Sequence, residues 1–148
     1  MLDFFFLCLY FSITARLFWI DLFSFILPNT MTYSLLFSGI GYSIIQGRFF
    51  DHGMAVLCGS GVFLLIRILT YWIYKREAMG AGDVKLAAGI GAYWGSTHIL
   101  YSIYISFILG GLIALILLLL TDKKKTDYIP FGPILIASSW GFYVVFSK

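Results

Sequence analysis

Residues 77–85 read Glu-Ala-Met-Gly-Ala-Gly-Asp-Val-Lys, a polar interruption near the middle of an otherwise apolar chain. One apolar run closes at Tyr74 and another opens at Val84, so the stretch reads as a loop at a membrane boundary. It delivers a carboxylate, Asp83, to the mouth of the next helix. A carboxylate at that depth needs water or a purpose, and an acid inside a membrane segment is a functional candidate by default. Working outward, the candidate partner is Asp21, at the end of the first apolar run.

Composition sets the class. Of 148 residues, 61% are hydrophobic and only 11% charged, whereas soluble domains carry about 25% charged residues. This predicts an all-α, polytopic membrane protein with residues 1–148 forming a single domain. The net charge of +3 is too small to call for a nucleic-acid partner. Cys8 and Cys58 lie in apolar runs with no CxxC between them, which excludes a zinc knuckle or a thioredoxin-like motif and reads as two buried thiols. The first run has no basic residues ahead of it and reads as a retained helix rather than a cleaved signal.

The apolar runs are Leu2–Ile20, about Met31–Gln46 and about Gly53–Tyr74. Val84–Leu120 is too long for one crossing, and Trp94-Gly95-Ser96-Thr97-His98 is its natural break. That leaves a short fourth helix of about 11–13 residues, roughly 16–20 Å long. It is too short to cross a ~30 Å hydrocarbon core unaided, and belongs within protein or beside a water-filled cavity. A fifth helix, about Ile99–Leu120, and a sixth, about Ile129–Phe146, complete a count of about six transmembrane helices, the fourth short. Arg16, Lys75, Arg76, Lys85, Lys123, Lys124 and Lys125 gather on or near the side of the odd loops, with Arg48 and Lys148 opposite. The positive-inside rule then puts the odd loops, Asp21 and Asp83 at the cytoplasmic face.

Two carboxylates sharing one proton can activate water, the ionised one as base while the protonated one polarises a carbonyl. Gly80 and Gly82 allow positive φ and close backbone approach, which suits an extended peptide lying against the motif, or they are loop glycines ahead of a helix capped by Asp83. Lys85 reads as a tuner of the pair, a ligand for a substrate carboxylate or a snorkelling anchor. Glu77 reads as a solvated loop acid beside Lys75 and Arg76. Arg67 reads as a snorkelling or ion-paired side chain, and His52 and His98 as outer interface residues. Asp3, Asp51, Asp122 and Asp127 read as loop or helix-end charges. Gly89, Gly91, Gly110 and Gly111 read as close helix-packing positions. The residues alone leave three function classes open: a two-carboxylate hydrolase, a transporter or channel component that binds protons or cations at Asp21 and Asp83, and a non-catalytic secretion-assembly subunit.

Met79-Gly80-Ala81-Gly82-Asp83-Val84-Lys85-Leu86 resembles the GxGD motif of type IV prepilin peptidases. Asp21 followed seven residues later by Pro28-Asn29 resembles their other aspartate motif, and Ile129-Pro130-Phe131-Gly132-Pro133 looks like the segment that opens their last helix. Three motifs in order on one hydropathy profile are specific where GxGD alone is not, and the Asp21–Pro28-Asn29 spacing separates the chain from presenilin-like proteases. The resemblance covers nearly the whole chain, as the peptidase half of the family. It implies an intramembrane aspartic endopeptidase with Asp21 and Asp83 as the catalytic pair, supported by Gly80, Gly82, Lys85, Pro28, Asn29, Pro130, Gly132 and Pro133. The implied partners are the leader and first hydrophobic helix of prepilins or pseudopilins, from type IV pilus or type II secretion systems, together with membrane lipid. Cleavage is implied after a glycine, at the cytoplasmic side of the bacterial inner membrane, with neither cofactor nor metal. The paired CxxC loop of an N-terminal methyltransferase region has no counterpart here, so the expectation is cleavage without methylation.

Overall fold

The computed structural model describes residues 1–75, 79–120 and 130–146, so Arg76, Glu77, Asp122, Lys123, Lys124, Lys125, Asp127, Ile129 and Lys148 lie outside the described residues. The apolar runs become five α-helices: α1 (Leu2–Ser24), α2 (Asn29–Ile45), α3 (Phe49–Tyr74), α4 (Ala81–Leu120) and α5 (Phe131–Phe146). No strand occurs among the described residues. Three stretches are long and apolar enough to cross a membrane, Leu2–Ser24, Phe49–Ile73 and Ala81–Leu117. The chain is therefore an all-α membrane protein. Helices α2 and α5 are shorter, 17 and 16 residues.

Several ends differ from the sequence reading. α1 runs past Ile20 because Phe25 takes a left-handed conformation (φ 55°) and its N–H closes the helix on the Asp21 carbonyl at 3.0 Å. Asp21 thus lies in the last turn of α1, at the helix end where the sequence reading put it. Pro28, with extended backbone, stands at the N-cap of α2, and neither Asn29 nor Thr30 supplies a side-chain cap. α3 opens at Phe49, so Asp51 and His52 are helical.

α4 lies centrally, packed on α2, α3 and α5. Small residues let the backbones close in. A Cβ at Gly91 would lie 2.7 Å from the Ala55 carbonyl oxygen of α3, and one at Gly39 of α2 would lie 2.8 Å from the Ala92 Cβ. In lipid, where apolar surface gains nothing by leaving the solvent, such close van der Waals packing supplies much of the helix association. Gly89 fits the same role against Leu35, and Gly110 lies against Phe131. Gly111, by contrast, faces open space. Cys8 is exposed and Cys58 half-buried, so the reading of two buried thiols does not hold.

The break expected at residues 94–98 falls at Gly95, whose φ of 82° and ψ of 179° are open to glycine almost alone. It divides α4 into limbs 81–94 and 96–120. The second limb begins with free N–H groups, and a partner from another helix meets them. Asp51 of α3 accepts the Ser96 N–H at 3.3 Å and the Ser96 hydroxyl at 2.5 Å on Oδ1. Asp51 is thus a helix-end charge, in the first turn of α3, that also serves as an N-cap supplied across the bundle. The two histidines are core residues rather than interface groups. His52 Nδ1–H donates to the Ala92 carbonyl at 2.8 Å, and His98 Nε2–H to the Ser139 carbonyl at 3.2 Å. Tyr10, wholly buried, shares a 2.6 Å hydrogen bond with Ser139 Oγ, and Trp140 Nε1–H donates to Thr14 Oγ1 at 3.1 Å.

Asp51→Ala removes the cap on residues 96–120 and is expected to lower stability by about 1–2 kcal/mol, with Asp51→Asn retaining most of it. Denaturant unfolding in detergent micelles checks this, and an alanine variant as stable as the parent would refute the capping role.

Candidate active site

Two helix ends meet at one end of the bundle. Asp21 comes from the last turn of α1 and Asp83 from the first turn of α4, and they are 5% and 9% exposed. Leu27 lies against Gly82, the residue before Asp83, and against Gly132, which meets the Asp21 carboxylate, so the two acids share one end of the bundle. Each is met by backbone. The Asp83 N–H closes a turn on the Gly80 carbonyl at 3.2 Å, while its carboxylate bends back to the Gly80 N–H. That is the reach-back of an acid at the third helical position to the cap residue, here without a capping hydroxyl. The Asp21 carboxylate rests on the backbone of Gly132 in α5, whose N–H interacts with it. Its Oδ2 nevertheless makes no hydrogen bond of ordinary geometry, and a buried acceptor in that condition is unusual enough to call for a reason.

The Pro-Phe-Gly-Pro segment explains why backbone can come so near. α5 begins at Phe131, so Gly132 and Pro133 lie in its first turn, where a missing proline N–H costs no helical hydrogen bond. Both are buried, and Pro130 just ahead is half-buried. A Cβ at Gly132 would run into the Asp21 carboxylate itself.

Neither Gly80 nor Gly82 takes a positive φ, which corrects that part of the sequence reading. Gly82 is required for a different close approach: a Cβ there would lie 2.7 Å from the Leu27 Cβ. Leu27, buried in the turn between α1 and α2, also reaches Gly132, its Cδ1 lying 3.4 Å from where a Cβ would stand. Lys85 crosses to α2. Its Nζ donates to Asn29 Oδ1 at 2.7 Å and lies 4.9 Å from the centre of the Tyr33 ring. Asn29 thus receives a cation instead of capping its own helix.

The structure therefore gathers Asp21, Leu27, Pro28, Asn29, Gly80, Gly82, Asp83, Lys85, Pro130, Gly132 and Pro133 at one end of the bundle. Leu27 and Tyr33 were not singled out from sequence. Leu27 carried a signal in standing directly before the Pro28-Asn29 turn, whereas Tyr33 carried none.

Fold and site define a class: a helical membrane protein with two buried carboxylates brought together at one end of its bundle. Residues 7–115 match the type IV leader peptidase family, and the chain belongs to it. It is similar to the prepilin leader peptidase/N-methyltransferase of Aeromonas hydrophila, with 33% identity over 132 residues, 86% of this chain and 45% of that protein. The Legionella pneumophila protein of the same description is 35% identical over 141 residues, 90% of this chain and 49% of that protein. The chain thus spans about half the length of these curated relatives. No solved structure matches.

Gly132→Ala is expected to destabilise the fold by about 1–3 kcal/mol through overpacking. Combining it with Asp21→Ala should recover part of that loss, because the clashing carboxylate is gone. A double-mutant cycle of detergent unfolding measures the coupling, and strict additivity would contradict the Asp21–Gly132 contact.

Proposed function

We propose that the chain is an intramembrane aspartic endopeptidase that removes the leader of type IV prepilins or pseudopilins, with Asp21 and Asp83 as its catalytic pair. The observation that carries this reading is the pair itself: two carboxylates from α1 and α4, both more than nine-tenths buried, at the same end of the bundle of a type IV leader peptidase family chain. The printed description of the relatives, prepilin leader peptidase/N-methyltransferase, supports the substrate class, and the reading here concerns leader cleavage alone.

In the proposed reaction one aspartate is ionised and the other protonated. The ionised carboxylate takes a proton from a water molecule as the water oxygen attacks the scissile carbonyl, while the protonated carboxyl donates to the carbonyl oxygen. A tetrahedral intermediate results. On collapse the C–N bond breaks, the carboxyl that took the water proton protonates the leaving amine, and the other carboxylate takes back a proton from a hydroxyl of the intermediate as the new C=O forms, so the pair again holds one proton. Asp21 Oδ2, without an ordinary hydrogen bond, is free to accept from the water when ionised or, when protonated, to donate to the peptide carbonyl. Burial strengthens each such interaction by excluding competing water.

The proposed setting is the bacterial inner membrane with the aspartate end towards the cytoplasm. Lys75 and Lys85 at that end of the bundle support this orientation. Six membrane-embedded helical runs, counting the limbs 81–94 and 96–120 separately, form one peptidase domain in this reading. The limb 81–94 is roughly 21 Å long at 1.5 Å per residue, which lets it start Asp83 partway into the bilayer. The substrate is an extended peptide junction just ahead of a hydrophobic helix lying in the lipid.

Co-expression with a prepilin tests the proposal. Asp21→Asn and Asp83→Asn should each remain folded and slow leader removal by about 10²–10⁴-fold or more. Full processing by either variant would sink the two-aspartate mechanism. A folded but inactive pair excludes a scaffold role. Because the active form carries one proton on two carboxyls, the rate in detergent should also fall on both sides of an optimum, as the pair becomes doubly protonated at low pH and doubly ionised at high pH. A rate flat across the acidic range would contradict a shared proton.

A further inference from the structure

We infer that Leu27 is the positioning residue that fixes the spacing of the two aspartates; the inference rests on the peptidase reading above. The argument is geometric. Asp21 and Asp83 come from separate helices, 62 positions apart in the chain, and a bimolecular attack by water on a peptide demands a fixed gap between them. No described hydrogen bond joins the two carboxylates. What lies against both of their supports is the Leu27 side chain.

On one side Leu27 fills the notch left by Gly82, the residue directly before Asp83, closely enough that even a methyl group there would collide with its Cβ and Cδ1 at 2.7 and 3.1 Å. On the other side its Cδ1 meets Gly132, whose backbone in turn supports the Asp21 carboxylate. Leu27 is itself held in place. Pro28 confines it to extended backbone, as the φ of −61° and ψ of 128° at Pro28 continue. Phe25, two residues earlier, is hydrogen-bonded to the Asp21 carbonyl. One aliphatic side chain is therefore fixed by its own backbone to the helix of Asp21 and wedged against the helix start of Asp83. Its Cδ methyls set how near α4 and α5 come to α1.

This gives the two glycines a task inside the protein. Gly82 and Gly132 are small so that Leu27 and the Asp21 carboxylate can occupy the space between three helix ends. Leu27 touches no reacting atom, so it positions and does not catalyse.

The test compares Leu27→Ala, Leu27→Val and Leu27→Met with the parent and with Asp83→Asn, measuring leader cleavage of a purified prepilin in detergent together with thermal unfolding. The expected result is a fall in kcat of about 10–100-fold for Leu27→Ala, since a misplacement of about 1 Å can lose that much, with KM changed less than about threefold. Leu27→Met, close in volume, should restore most of kcat. Where Leu27→Ala yields too little folded protein, Leu27→Val, which removes one methylene, carries the same comparison with a smaller fall. Parental kcat in a folded Leu27→Ala or Leu27→Val overturns the positioning role while leaving the peptidase reading intact, because Asp83→Asn is inactive in the same assay. A rise in KM alone also overturns it, since Leu27 would then serve substrate binding. Absence of cleavage by the parent, or cleavage by Asp83→Asn, overturns both.

Discussion

A carboxylate inside an apolar bundle must be met by something polar, and in a helix the backbone offers free N–H groups only at the N-terminus. This single constraint explains where Asp21, Asp51 and Asp83 lie. Asp83 takes the first turn of α4 and folds back on Gly80. Asp21 lies at the other kind of helix end, where no N–H of its own helix is free, and it takes the start of α5 at Gly132 instead. Asp51 does the same service in reverse, crossing from α3 to meet the free N–H of Ser96. Each acid is therefore paired with a helix start, and the glycines at those starts leave room for it. Gly95 and Gly132 would both drive a Cβ into a carboxylate.

The helices themselves were legible as apolar runs bounded by Pro28, the Gln46–Arg48 patch and the Met79–Asp83 stretch. Their ends were less so. The end of α1 carries no glycine or asparagine, and Phe25 adopts the left-handed cap that such residues usually announce. The break in α4 was readable from Gly95-Ser96, but its cap comes from a residue 45 positions away, and no local pattern joins the two. Burial was the least readable property. In a membrane helix the face turned to lipid is as apolar as the face turned to protein, so Cys8 proved exposed and His52 and His98 buried without any change in periodicity to say so.

The candidate site was legible as far as its spacing went. Asp21, Pro28-Asn29, the Gly80–Asp83 stretch and the Pro130–Pro133 segment converge as the sequence suggested. What the spacing could not say was what the glycines were for. Gly82 is matched to Leu27 rather than to positive φ, because the tightest contact at this end is between parts of the same chain. Lys85 and Asn29 each had a separate reading from sequence, and their shared hydrogen bond shows that the two belong to one contact between α2 and α4.

The cross-helix ties are unevenly distributed along the bundle. Asp3–Gln46, Asp51–Ser96, His52–Ala92, His98–Ser139, Tyr10–Ser139 and Trp140–Thr14 join helices through hydrogen bonds away from the aspartates. At the aspartate end, the ties described are Lys85–Asn29, the Asp21 carboxylate on the Gly132 backbone, and the packing of one leucine against glycine backbone. The molecule is accordingly built like a pair of tongs, riveted at one end and sprung at the other. To part its jaws, the aspartate end would have to give up the Asp21–Gly132 contact and unseat Leu27 from the two glycines.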